Sequence, residues 1–497
     1  MASPLAGVVR LAAASRALLL ALSLLSRLLF RPYDTSASLH PPCLLPSPSP
    51  NSTTTAANSI ASLAVWDGVH FLRAAECGYE YEQSFAFLPL LPASLNLLAR
   101  SVLAPLVPVL GYRAVLVVSG YVPQQRRVRR RRGLLLQFLV RLGSNIRLSV
   151  LILKSPSAAY RASVLFCFNP ASVFYSSLYS ESLYALFSLG GVFYVFTGAN
   201  TIAMIMLALS GSARSNGALN AGYFCFQALL HAYDAAFQKK RPMLAVQVLV
   251  TGFLRSVFVF IPFFAFQAYG YLNICLHGNM EELRPWCKSK VPLLYGFIQS
   301  HYWGVGFLRY FQVKQLPNFL LASPVLSLAV YSIVHYTKML RQLFESNSIH
   351  ELIVATVEGR SIEAYKSSDV DTVLKSKVST NVTNKAQGNA VAKRRKSVAT
   401  ETDSNDQIIE VNKDVCPIVV LPFILHLAFM TFTAFFVMHV QVSTRFLSAS
   451  PPIYWAASHI LVSPSSSKRW GNIICAYYFI AYILLGSLLF SNFYPFT

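Results

Sequence analysis

Apolar stretches long enough to cross a bilayer recur along the chain, near Val9–Phe30, Phe85–Leu110, Ala158–Leu178, Leu183–Leu209, Gly217–Phe237, Leu244–Tyr271, Phe319–Tyr336, Ile418–Val440 and Ile473–Phe490. A helix needs about 20 apolar residues to span the hydrocarbon core. Inside lipid every backbone polar group must be satisfied internally, so such runs fold as helices. Composition agrees: only 12% of the 497 residues are charged and 54% are hydrophobic, where a soluble domain carries about 25% charged residues. The expected architecture is therefore all-α, a polytopic membrane helix bundle. Pro and Gly interrupt several runs, so roughly eight to twelve crossings are expected. Most soluble enzyme folds, secreted disulfide scaffolds and free nucleic-acid-binding domains are excluded.

The formal net charge of +22 suggests nucleic acid until it is located. The polar stretch Arg341–Val415 holds 11 of the 20 acidic residues and 11 Lys and Arg, leaving 31 basic and 9 acidic groups elsewhere. Four of those nine, Asp67, Glu76, Glu80 and Glu82, fall within 16 residues. Carboxylates near a bilayer are costly and mark functional or paired positions, so this cluster is the first candidate for chemistry.

The polar intervals divide the chain into residues 1–340, a flexible loop at 341–415 and C-terminal membrane helices at 416–497. Lys393-Arg394-Arg395-Lys396 favours the cytosol for the loop. The arginine-studded Val9–Phe30 reads as an uncleaved first span. A Pro/Ser/Thr-rich loop follows, with Asn51-Ser52-Thr53 as a glycosylation acceptor if lumenal. Gln124–Arg147 contains eight Arg and cannot be an ordinary span. It is either a cytosolic loop or a shifted reading frame in the deduced sequence. The eight Cys form no CxxC pair, which argues against zinc. Cys275 and Cys287 flank a short polar segment and could form a loop disulfide or remain thiols.

Five motifs stand out. Trp66-Asp67-Gly68-Val69-His70-Phe71, continuing through Glu76-Cys77-Gly78-Tyr79-Glu80-Tyr81-Glu82 to Phe85-Ala86-Phe87-Leu88-Pro89, places an acid beside an interfacial aromatic. It suits either a general base that accepts a hydroxyl proton or an Asp capping a helix that starts near Gly68. Asn169-Pro170, followed by Ser180-Glu181-Ser182, reads as a helix break with a cap. Ala213-Arg214-Ser215-Asn216-Gly217 puts a cation between spans, to bind phosphate or anchor in headgroups. Gly304-Val305-Gly306-Phe307-Leu308-Arg309-Tyr310 with Lys314-Gln315-Leu316-Pro317-Asn318, and Met438-His439-Val440-Gln441-Val442-Ser443-Thr444-Arg445-Phe446-Leu447, set cations at the ends of apolar runs. They are either snorkelling side chains or counter-charges for a phosphate leaving group.

Together these segments resemble the PIG-V-type GPI mannosyltransferase II family. The similarity covers Leu63–Pro92, Ala158–Gly191, Arg214–Gly217, Arg284–Val325 and His439–Trp455, and reaches the C-terminal Asn492-Phe493-Tyr494-Pro495-Phe496-Thr497. It lapses in Gln124–Arg147, where members continue with apolar spanning sequence. The resemblance implies a GT-C type bundle with its catalytic acid in a first lumenal loop, near residues 32–84. It implies transfer of the second mannose, in α-1,6 linkage, from dolichyl-phosphate-mannose to the first mannose of a lipid-linked GPI precursor, in the endoplasmic reticulum membrane with the site lumenal. A β-linked donor and an α-linked product mean inversion by single displacement. In that scheme Asp67 takes the hydroxyl proton, and Glu82 orients the acceptor or tunes Asp67. Arg445, with His439, Arg309 or Lys314, balances the departing phosphate. Trp66, His70, Trp303 and Asn318 position the acceptor. No nucleotide or nucleic-acid signature appears; no metal ligand set is expected, divalent-metal dependence is open, and a small membrane subunit is a candidate partner. The competing readings are a multi-span lipid or solute transporter, a non-catalytic subunit, and a dolichol-linked transferase with another acceptor.

Overall fold

The computed structural model describes residues 4–31, 33, 43, 55–125, 146–276, 284–346, 350–354, 356–357, 417–462, 466–494 and 496. Among them the regular structure is entirely helical. Among the described residues five helices are long and apolar enough to cross a membrane, Gly7–Leu29, Pro242–Leu276, Val313–Glu345, Ile418–Phe436 and Gly471–Ser491. The bent pair Leu90–Arg100 and Ala104–Leu110, which turns through 71°, is a sixth if it is one crossing. This is fewer than the apolar runs alone suggest. Leu183–Leu209 is not one span but two short helices, Glu181–Phe196 and Asn200–Ala213, joined through Gly198 at φ +83°. Positive φ costs glycine nothing, so the turn closes tightly. Asn169-Pro170 likewise splits Ala158–Leu178 into Pro156–Cys167 and Ser172–Ser176.

The helix Leu316–Ser346 runs on through Arg341, past the expected start of the polar loop. Most of that loop, including Lys393–Lys396, lies outside the described residues, as do Asn51–Thr53 and residues 126–145 of the arginine-rich stretch.

The first helix, Pro4–Leu29, packs against the last, Ser466–Ser491, and against Pro156–Cys167. Its Arg16 is only 5% exposed. The guanidinium donates to the carbonyls of Cys167 and Ser172 at 3.2 and 2.9 Å and to Ser176 Oγ at 2.9 Å. A helix C-terminus leaves carbonyls without partners, and the Asn-Pro break exposes them inside the bundle. Arg16 fills that need, which explains a charge in an apolar segment. The main core gathers Trp455, Tyr175, Phe423 and Phe166 from helices far apart in sequence. In contrast, Phe253, Leu254 and Phe264 on Pro242–Tyr271 remain exposed, an apolar face suited to lipid.

Two disulfides lie in the connecting segments. Cys275–Cys287 forms, one of the two states open to that pair, and Cys43–Cys77 ties the end of the helix Asp67–Cys77 to the preceding loop.

Candidate active site

Asp67 opens the helix Asp67–Cys77 with Trp66 before it at φ 51°. No side chain caps this helix, so Asp67 is not the cap its position would allow. Gly68 meets the carbonyl of Leu178, with 3.3 Å from the position of an added Cβ to that oxygen. That close approach presses the helix start onto the segment after the Asn-Pro break. The backbone N–H of Asp67 donates to Tyr179 Oη at 3.0 Å, while its Oδ2 accepts from Arg445 Nη1 at 2.6 Å.

Arg445 comes from the short helix Ser443–Leu447. Ser448 Oγ donates to the Arg445 carbonyl at 2.6 Å and meets Tyr175 Oη at 3.0 Å, fastening this helix to Ser172–Ser176. The guanidinium lies over the rings of Phe174 and Tyr179, 5.6 and 5.7 Å from their centroids. Burial opposes its charge, yet Asp67 and then Glu181 outweigh burial and hold its pKa above the usual arginine range. Tyr179 is pushed well up, by burial first and then by the charge of Asp67.

Glu181 is 2% exposed. Its Oε1 pairs with Arg214 and lies 4.0 Å from Arg445. Two acids and two guanidiniums therefore form one chain, Asp67–Arg445–Glu181–Arg214. Glu181 Oε2 and Arg445 Nε are buried with no hydrogen-bond partner. Buried orphans of this kind mark places where a ligand completes the bonding. Arg214 stands at the break between Asn200–Ala213 and Ser215–Asn220, where an added Cβ on Gly217 would run into the backbone of Ser210. Only glycine permits that contact, and it brings the turn after Arg214 against the helix Asn200–Ala213.

These groups line a cleft of about 320 Å³, whose walls also include His70, Phe87, Tyr295, Gln299, Trp303, His439 and Gln441. His70 stacks on Phe87 at 4.7 Å and Trp303 meets the same ring edge-on at 6.2 Å. Desolvation lowers the His70 pKa against a weaker pull from Asp67. His439 Nε2 contacts the Trp303 carbonyl at 2.6 Å, and its ring stacks on Tyr310 at 4.6 Å. Asn318 Nδ2 donates to Tyr310 Oη at 2.8 Å, placing Asn318 behind the wall rather than in it.

The four-acid cluster separates cleanly. Glu76 pairs with Arg113 at 2.7 Å and Glu80 with Arg73 at 2.7 Å. Glu82 accepts from Trp286 Nε1 and Tyr302 Oη, both at 2.6 Å, and lies 3.7 Å from Arg284. Of the four, Asp67 alone lines the cleft. Glu82 instead joins Glu82–Ala86 to the Arg284–Tyr302 segment. Trp66 is turned toward Phe493, 5.9 Å away, and does not line the cleft. Arg309 and Lys314 are exposed and outside it. Cys43, Cys77 and Glu80 come close enough to hold a metal, but the two thiols are joined as a disulfide and Glu80 is paired with Arg73.

Glu181, Tyr179, Gln299 and Gln441 were not singled out by sequence as site residues. An acid in the first turn of an apolar helix reads equally well as helix-dipole stabilisation, and only its burial against two arginines distinguishes it.

A polytopic helical membrane protein with an acid–arginine cleft where several helices begin is the class that fold and site define. Within that class, the family model described as "Mannosyltransferase (PIG-V)" matches residues 5–497, and the chain belongs to that family of glycosyltransferases. Curated relatives include the GPI alpha-1,6-mannosyltransferase 2 of Cricetulus griseus, 29% identical over 88% of both chains, and that of Homo sapiens, 28% identical over 88% of both. The Mus musculus protein of the same name is 28% identical over 99% of this chain and 98% of its own. No solved structure matches the chain.

Proposed function

We propose that this membrane mannosyltransferase adds the second mannose, in α-1,6 linkage, to a lipid-linked GPI precursor, with dolichyl-phosphate-mannose as donor. The observation that carries the reading is Asp67: a carboxylate held through Oδ2 by Arg445, with Oδ1 making no hydrogen bond among the described residues, facing a cleft large enough for sugars. In the proposed step the bond from mannose C1 to the phosphate oxygen breaks as a bond forms from C1 to the acceptor hydroxyl. Asp67 Oδ1 takes the hydroxyl proton, and the phosphate leaves with the electron pair. General-base help of this kind contributes about 10²–10⁴-fold.

Arg445 and Arg214 are the cations of this cleft, and the unpartnered Arg445 Nε offers a donor to the leaving phosphate. Charge-assisted bonds to phosphate are the strong ones. Arg309 and Lys314 have no part in this step, and Glu82 acts only as a positioning residue. His70 and Trp303 offer the ring faces and edges against which a sugar packs, while His439 and Gln441 offer polar groups. Both disulfides lie outside the cleft itself, at the far end of the Asp67 helix and beside Trp286, and disulfides persist in oxidising compartments. They support a lumenal cleft in the endoplasmic reticulum; a small associated membrane subunit belongs to the same reading.

The test is rescue of cells that lack the second GPI mannose. Expression of this chain restores surface GPI-anchored protein and moves the accumulated singly mannosylated precursor to a doubly mannosylated one. Unchanged precursor with normally abundant protein would overturn the acceptor assignment.

A further inference from the structure

A second cavity, of about 300 Å³, lies beside the helix Asn200–Ala213 at the end opposite the cleft: Asn200 lines this cavity and Ala213 lines the cleft. At 1.5 Å rise per residue the two ends are about 20 Å apart. Its walls include Gln227, His231, Asp234, Lys239, Thr251 and Arg255. Arg255 is the only charged residue of Pro242–Tyr271, a helix otherwise made for lipid. It makes no hydrogen bond or ion pair among the described residues. The acid lining this cavity, Asp234, is committed to Lys239 at 2.7 Å. A π-helical turn, Asp234–Gln238, lies here, a local form frequent at functional sites.

An arginine within a span is costly to insert and is retained where something pairs with it. With no anion free to pair with it among the described residues, the partner inferred is a ligand anion. Phe224, Leu244 and Val248 form the apolar part of the same wall, and Val250 and Phe253 beside it are 51% and 66% exposed. The cavity is thus basic at one point and greasy around it. Lys240 and Arg241, both exposed, add positive charge next in sequence to the paired Lys239. Basic pockets between spanning helices recognise lipid headgroups. We infer that this cavity binds the phosphate of a membrane lipid, with Arg255 as its main counter-charge. A phosphoglyceride of the bilayer and a polyprenyl phosphate share that chemistry.

The experiment uses the full-length chain in phosphatidylcholine nanodiscs, titrated with fluorescent phosphatidic acid and, separately, fluorescent polyprenyl phosphate. Only the saturable component lost in Arg255→Gln is counted, because the catalytic cleft also takes a polyprenyl phosphate under the reading above. Arg255→Gln weakens that component at least tenfold, and Thr251→Phe, which fills the cavity while keeping the arginine, weakens it similarly. Preference for phosphatidic acid identifies a bilayer lipid, and preference for the polyprenyl phosphate identifies a carrier. Wild-type binding in Thr251→Phe, or equal displacement by inorganic phosphate, overturns the proposal even if Arg255→Gln fails to fold.

Discussion

Glu181 holds Arg445 and Arg214 at once and has almost no contact with solvent. Removing one partner of a buried pair costs about 3–5 kcal/mol, because it leaves charge unbalanced. Glu181→Gln keeps the shape and removes the charge, so the unfolding free energy falls by an amount up to that range, the thermal midpoint drops, and transfer falls with it. Unchanged stability would show the network to be ornamental. His70 gives a pH signature. Its folded pKa lies below the ordinary 6.5, so the neutral ring is favoured on folding. The stability it contributes is complete above pH 6.5 and is lost as pH falls through the folded value. His70→Phe keeps the stack on Phe87 and removes that share of the acid sensitivity, as melting scans between pH 7 and pH 5 would register. Both roles depend on neighbours that the sequence does not reveal. Asp67 stood out in the sequence through the four-acid cluster and was assigned as the base only through the family resemblance, since residue types alone left it open between a base and a helix cap. Glu82, in the same cluster and equally acidic, could be separated from it only by the tryptophan and tyrosine that bind it from more than 200 residues away.

The helices show the same division. Hydrophobic length located the spans Pro242–Leu276, Ile418–Phe436 and Gly471–Ser491, because crossing lipid imposes one period and one length. It failed for Leu183–Leu209, since a hairpin of two short apolar helices, packed on each other and with Ile202 and Ile205 of the second exposed, is as apolar as one long helix. The break at Ala213–Gly217 was visible as a motif, but its purpose was not. Gly217 approaches the Ser210 backbone so closely that any side chain displaces it. Gly217→Ala is therefore expected to destabilise by about 1–3 kcal/mol, the cost of overpacking, and to lower transfer by moving Arg214. Gly222→Ala is the matched control, since a Cβ there meets nothing within 4 Å. Equal effects from the two would refute the steric account, and activity with each purified variant distinguishes them.

Taken as one assembly, the protein uses its spans to bring four distant segments to one cleft: the starts of Asp67–Cys77 and Glu181–Phe196, the turn at Arg214, and the short helix carrying Arg445. The family relation extends over residues 5–497, and the four segments come from both halves of that length. The account depends on the carboxylate that Arg445 presents to the cleft. Its most direct test is Asp67→Asn, assayed in microsomes given dolichyl-phosphate-mannose and a singly mannosylated GPI precursor. The expected result is a loss of second-mannose addition of at least about 10²-fold at unchanged protein abundance. Transfer within a few-fold of the unaltered enzyme would contradict the assignment of Asp67 as the base.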